Sequence, residues 1–137
     1  MIVLDASLML AWLLSEPSLK SRPQLQAILT QETLLVPAHW PAEIGNALLV
    51  NARRGRIANE DLGGMLVNLT TFGVSPQKPP ETEDFGPLLR FAQAHRLTFY
   101  DAIYVQLALE TESTLATLDE EMRTAAIRLG LTLLPAA

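Results

Sequence analysis

Short apolar runs alternate with longer helix-periodic stretches along the whole chain. Residues 2–5, IVLD, are an apolar run ending in a carboxylate and read as a buried strand. Residues 6–14 follow without a turn signal and predict a helix, broken at Glu16-Pro17. A second helix is expected near 19–32, with Leu25, Ile28 and Leu29 on one face. LLVP, 34–37, is a second buried strand closed by Pro37. Pro41 suits a first helical turn, where its missing N–H is no loss. That helix runs to about Arg54 and stops at Gly55. A weaker helix is expected over 59–71, because Gly63 and Gly64 each lower helix propensity by about 1 kcal/mol. FGVS, 72–75, is a short strand candidate, and QKPPETED after it is a polar surface loop. Helices follow at 83–95 and 100–112, then a strand at 115–118, a helix at 119–129 ended by Gly130, and a last strand at 131–134. Strand–helix alternation of this kind means βα units and a parallel sheet covered on both faces.

Length narrows the picture to one domain, 1–137, since 137 residues build a single core but hardly two. The 49% hydrophobic and 18% charged content is that of a globular chain rather than a disordered one. There is no cysteine, which removes disulfides, thiolate chemistry and cysteine metal sites. The opening residues lack the basic and apolar regions of a signal peptide. No apolar run approaches the ~20 residues of a membrane span, so no membrane role and a cytoplasmic location are expected. The net charge of −5 argues against binding nucleic acid.

The placement of the acids changes that view. In open parallel sheets, ligands bind beyond the carboxyl ends of the strands. Asp5 ends the first predicted strand, Asp119 follows LATL, and Asp101 begins a helix inside the otherwise apolar RLTFYDAIYVQLALE. The two remaining aspartates, Asp61 and Asp84, lie in polar segments. Glu43 sits early in the helix opened by Pro41, on one face with Trp40 and Ala47. Helix capping accounts for an aspartate at a helix start, and each of Asp5, Asp101 and Asp119, taken singly, fits a cap. Glu43 does not, because no Ser, Thr, Asp or Asn precedes it by three residues. Four carboxylates at one sheet edge would repel one another unless a cation neutralised them. Hard divalent ions take oxygen ligands, and such a cluster is what metal-assisted phosphodiester hydrolysis requires. One or two ions could be held. With those four acids set aside, the remaining net charge is −1. Arg53, Arg54 and Arg56 add a small basic cluster, read either as a solvated helix C-terminus or as an RNA contact.

These residues resemble the PIN-domain family, and within it the VapC-type ribonuclease toxins of toxin–antitoxin modules. Residues 1–7, MIVLDAS, are similar to the family's opening strand with its first acid and a small hydroxyl residue two places on. PAEIGNAL, 41–48, resembles the second motif, with Asn46 three residues after Glu43. YDAIY, 100–104, followed by Leu107-Ala108, resembles the third, and LATLD, 115–119, the fourth. The spacings of 38, 58 and 18 residues between successive acids are similar to those of compact members. The likeness spans essentially the whole chain. It implies an α/β fold, a three-layer α/β/α sandwich with a central, mainly parallel sheet of about five strands. It implies a Mg²⁺- or Mn²⁺-dependent endoribonuclease, a homodimer, and a VapB-type antitoxin partner. By that resemblance Asp5, Glu43, Asp101 and Asp119 are the catalytic and metal-binding quartet, with Asp5 and Asp101 as direct ligands. Glu43 and Asp119 would ligate directly or act through waters. Ser7, Asn46 and Thr117 would orient carboxylates or waters.

Other residues draw plainer expectations. Glu120 either shares the role of Asp119 or faces solvent. His95 reads as a surface residue, His39 as a structural loop residue, and Trp12 and Trp40 as core or interface. Residues 8–14 are apolar almost all round, so part of that helix is expected at a dimer or antitoxin interface. A haloacid dehalogenase-like phosphatase would want a second aspartate where Ser7 stands. The remaining alternative is a non-catalytic PIN-like module that binds RNA or protein.

Overall fold

The computed structural model describes all residues except 18, 20 and 21. The chain runs β1 (Ile2–Leu4), α1 (Ala6–Leu13), α2 (Arg22–Gln31), β2 (Leu34–Val36), α3 (Trp40–Arg53), α4 (Leu62–Leu69), β3 (Val74–Pro76), α5 (Phe85–His95), α6 (Phe99–Thr111), β4 (Thr114–Ala116), α7 (Glu120–Leu129) and β5 (Leu133–Leu134). Short 3-10 turns precede α4 and α5. The first three residues of the expected 19–32 helix include residues 20 and 21, which lie outside the described set. The strands form one five-stranded sheet in the order β3-β2-β1-β4-β5, and every pairing is parallel. Right-handed crossovers place α1 to α4 on one face and α5 to α7 on the other. The helix packing agrees: α1 lies against α3 and α4, and α6 against α5 and α7. The result is a three-layer α/β/α sandwich.

The sheet is short: β1 and β2 are apolar triplets, β3 and β4 are triplets with polar members, and β5 has two residues. Ile2, Val3, Leu4, Leu34, Val36, Leu115 and Ala116 are buried, as a sheet covered on both faces requires. β4 begins and ends earlier than the sequence pattern suggests, so Thr117, Leu118 and Asp119 lie beyond the strand end. Asp5 likewise leaves the ladder and becomes the residue before α1. β3 starts at Val74 rather than at 72 and is a half-exposed edge strand that carries Pro76, where a missing N–H is tolerated. Gly130 closes α7 in the left-handed conformation at φ 75°, which its lack of a Cβ makes easy.

The apolar helix α1 is a core element. Leu8, Met9, Ala11, Trp12 and Leu13 are all buried within the chain, so at most its partly buried residues, Leu10 and Leu14, are left for the expected interface. Trp12 packs edge-on to Phe72 at 4.9 Å, and the Arg22 guanidinium lies over its indole at 4.5 Å. Trp40 is also core. His95 is half-buried against Phe91, with ring centroids 4.6 Å apart, rather than on the surface. No helix among the described residues is long and apolar enough to cross a membrane.

Leu115, fully buried on β4, tests this packing. Leu115→Ala is expected to lower unfolding stability by about 3 kcal/mol, read as a lower urea midpoint at unchanged slope; a change of only about 0.5 kcal/mol, as at a surface position, would contradict the central placement of β4.

Candidate active site

The strand order reverses between β1 and β4: the chain leaves β1 toward one side of the sheet and β4 toward the other. Such a switch point opens a crevice at the carboxyl edge. Asp5 stands at the end of β1 and Asp119 just past β4. Glu43 enters from the first turn of α3, and Asp101 from the first turn of α6. The four acids line one cavity of about 330 Å³ together with Ser7, Leu10, Asn46 and Met122.

Asp5 is the most buried of them, at 3% exposure. The Ser7 hydroxyl accepts the Leu118 N–H at 3.1 Å, so its single proton goes to Asp5 Oδ2. The Thr117 hydroxyl accepts the Asp119 N–H at 3.0 Å and donates to the same Oδ2 at 2.7 Å. Two hydroxyls thus fix one oxygen of Asp5, and they tie the ends of β1 and β4 together. Glu43 is held differently. The buried Tyr104 hydroxyl donates to Glu43 Oε1 at 2.7 Å, and His39 Nε2 lies 3.4 Å from that oxygen. The His39 ring also packs edge-on to Tyr104, centroids 5.2 Å apart.

Capping explains only one of the three aspartates. Asp119 is an N-cap whose Oδ1 accepts the Met122 N–H at 2.9 Å. Asp5 occupies the cap position of α1 without making a cap bond. For α6 the cap is Thr98, whose hydroxyl accepts the Asp101 N–H at 3.1 Å, so the Asp101 carboxylate is left free of that duty. Glu120 is exposed and absent from the cavity wall, which settles it as a solvent-facing residue. Asn46 lines the cavity and is otherwise exposed. Arg53, Arg54 and Arg56 are exposed near the far end of α3, roughly 15 Å along the helix from Glu43 at 1.5 Å per residue, and are not part of the cavity. Gly63 and Gly64 lie in exposed turns of α4, where an added Cβ would meet nothing.

Burial and mutual repulsion push the carboxyls up. Asp101 rises from 3.8 to about 6, first through burial and then through the charges of Asp119 and Asp5, against the opposing Thr98 hydrogen bond. Asp5 is raised by burial, against the pull of its two hydroxyl donors and with the help of Glu43 and Asp119. Glu43 is raised by burial and by Asp101, against the Tyr104 hydrogen bond. Burial lowers the His39 pKa, against a backbone hydrogen bond at Tyr100, which favours the neutral imidazole beside them. The donors are all oxygens, which suits a hard divalent cation. Among the described residues no three His, Asp or Glu side chains are close enough together to hold one ion directly. The fit is therefore to a hydrated ion with one or two carboxylate ligands, as Mg²⁺ prefers, rather than to a cage of four.

A profile of the PIN domain matches residues 2–128. The chain belongs to the PIN-domain family. It is 30% identical over 121 residues to Ribonuclease VapC3 of Pyrobaculum aerophilum, covering 88% of this chain and 91% of that protein. The crystal structure of PAE2754, also from Pyrobaculum aerophilum, matches with a TM-score of 0.70 at 25% identity, over 98% of this chain and 89% of the other. FitAcB from Neisseria gonorrhoeae matches in fold, with a TM-score of 0.59 at 22% identity, over 97% and 96% of the two chains. The PIN fold and the placement of the four acids at its switch point agree with the sequence pattern. Three contributors went unread: Tyr104, Thr98 and the contact of His39 with Glu43. Tyr104 follows Asp101 by three residues and so shares its helical face, the one signal that could have found it.

The raised carboxyl pKa values carry a stability consequence. Between about pH 4 and 6 the folded state holds a proton on Asp101 that the unfolded state has lost, so stability falls as pH rises through that window. Asp5 and Glu43 shift in the same direction and add to the slope. Without divalent ions, the melting temperature should drop from pH 5 to pH 7.5, and Asp101→Asn should raise the pH 7.5 value by about 3–6 °C. A flat or rising metal-free profile for the parent chain would contradict the crowding of these acids.

Proposed function

We propose that the chain is a divalent-metal-dependent endoribonuclease, the VapC-type toxin of a toxin–antitoxin pair. The observation that carries this is the meeting of Asp5, Glu43, Asp101 and Asp119 in one cavity at the switch point of a PIN-family sheet. The 30% identity to a protein named Ribonuclease VapC3, over nearly the full length of both, supports RNA as substrate. It also supports a VapB-type antitoxin as partner. A homodimer and a cytoplasmic location go with the same reading.

Asp5 and Asp101 would hold Mg²⁺ or Mn²⁺, with Glu43 and Asp119 engaging through waters. A cation bound there would acidify a water and offset charge building on the phosphoryl oxygens. Ser7 and Thr117 keep Asp5 Oδ2 occupied, so the carboxylate cannot rotate away from the cavity. Tyr104 does the same for Glu43 Oε1. Glu43 Oε2 stays uncommitted among the described residues and is placed to accept a proton from an attacking water. The raised carboxyl values suit that task, because a base poised nearer neutrality both accepts and returns a proton. The complete acid set, with its positioning donors, favours turnover over a module that only binds RNA or protein.

In Mg²⁺ or Mn²⁺, the parent chain should cleave RNA, and chelation should stop it. Asp5→Asn and Asp101→Asn should each cut the rate by at least about a hundredfold while circular dichroism stays native. Cleavage at the parental rate by either folded variant would remove the assignment.

A further inference from the structure

One exposed aromatic ring stands one side chain away from an acid of the cavity. Tyr100 is 62% exposed and immediately precedes Asp101. Single exposed apolar residues are ordinary, so exposure alone says little. The setting is what distinguishes this one. The His39 ring stands behind it, with centroids 5.3 Å apart and planes inclined by 53°. His39 in turn packs on the buried Tyr104 and reaches Glu43 Oε1 at 3.4 Å. The exposed ring is thereby backed by a side chain that lies against Glu43, one of the cavity's acids, and that side chain is anchored by a residue with no exposure at all.

We propose that Tyr100 is a stacking ledge for a nucleobase next to the scissile phosphate. This rests on the ribonuclease reading above. Two physical points lead to it. The first is geometry: the His39 ring lies 5.3 Å from the Tyr100 ring, centroid to centroid, and its Nε2 lies 3.4 Å from Glu43 Oε1, so a base next to a phosphate held at the acids comes within reach of the Tyr100 ring. In a duplex both faces of each base are already stacked on neighbours, whereas an unstacked base offers a face to an aromatic side chain. The second point is charge. The chain carries −5, and its arginine cluster is at the other end of α3. Phosphate attraction therefore contributes little around the cavity apart from a bound cation. Affinity must come from a source that does not depend on net charge, and base–aromatic stacking is such a source. Because every base has a π-face, the ledge fixes position more than sequence. Tyr100 thus acts on substrate binding and not on the reacting atoms.

The test uses the full chain and a ten-nucleotide single-stranded RNA spanning a cleavage site mapped on cellular RNA. A series of these decamers carries one abasic nucleotide at each position flanking the cleaved bond. For the parent chain, the abasic change at one flanking position should raise KM about tenfold, with kcat much less affected. Tyr100→Ala should raise KM for intact RNA by a similar factor and should abolish the penalty at that one position, since the partner ring is gone. Tyr100→Phe, which keeps the ring, should retain both the parental KM and the penalty. An abasic penalty that is the same in the parent chain and in Tyr100→Ala overturns the inference and leaves the ribonuclease reading standing. So does an unchanged KM in Tyr100→Ala, including the case in which that variant alters self-association instead. Absence of cleavage of any RNA by the parent chain overturns the ribonuclease reading and this inference with it.

Discussion

The structure depends on keeping four carboxylates together at a place where water is scarce. Burial penalises the charges of Asp5, Glu43 and Asp101, and neighbouring acids penalise them further, which is why the Asp101 carboxyl is pushed up to about 6. Such an arrangement persists only because other groups are committed to it. The Ser7 and Thr117 hydroxyls serve Asp5, the Tyr104 hydroxyl serves Glu43, and the Met122 amide serves Asp119. These donors come from three crossings of the chain over the same edge: Ser7 after β1, Tyr104 in α6, and Thr117 and Met122 after β4. The fold therefore bears a local electrostatic cost at the cavity, and the buried apolar sheet and helices supply the stability that offsets it.

Topology explains why the cost falls where it does. β1 and β4 are neighbours whose chains leave toward opposite sides of the sheet, so their carboxyl ends cannot be covered by either connection. Asp5 and Asp119 fill that gap from the strands, and Glu43 and Asp101 lean in from the first turns of α3 and α6. A larger cavity of about 650 Å³ lies on another face of α6, bounded by Pro79, Pro80, Leu88, Phe91 and Leu107. It is lined by Glu81, Asp84 and Glu110 but by none of the four acids, and size alone would have pointed to the wrong place.

Much of this was legible in the sequence because its signals are local. Apolar triplets such as those at 2–4 and 34–36 cannot be solvated cheaply, and glycines 55 and 130 mark helix ends at positive φ. The quartet was legible because a carboxylate after a buried strand is conspicuous. What could not be read are partnerships set by the tertiary fold. Asp101 fits a cap on paper; only the backbone decides that Thr98 makes the bond and frees the carboxylate. Tyr104 reads as one more apolar ring until Glu43, 61 residues earlier in sequence, arrives opposite it. Helix α1 lacks a polar face, and the chain itself buries most of it, with α3 and α4 packed against it.

The central claim is that this crowding exists to hold a divalent cation. It is tested most directly by calorimetric titration of the metal-free chain with Mn²⁺ near pH 6, in two buffers of different ionisation enthalpy. The account predicts saturable binding that releases protons, because Asp101 is half-protonated there and must ionise to ligate. It also predicts that Asp5→Asn loses that binding. No binding, or equal binding by parent and variant, would contradict it.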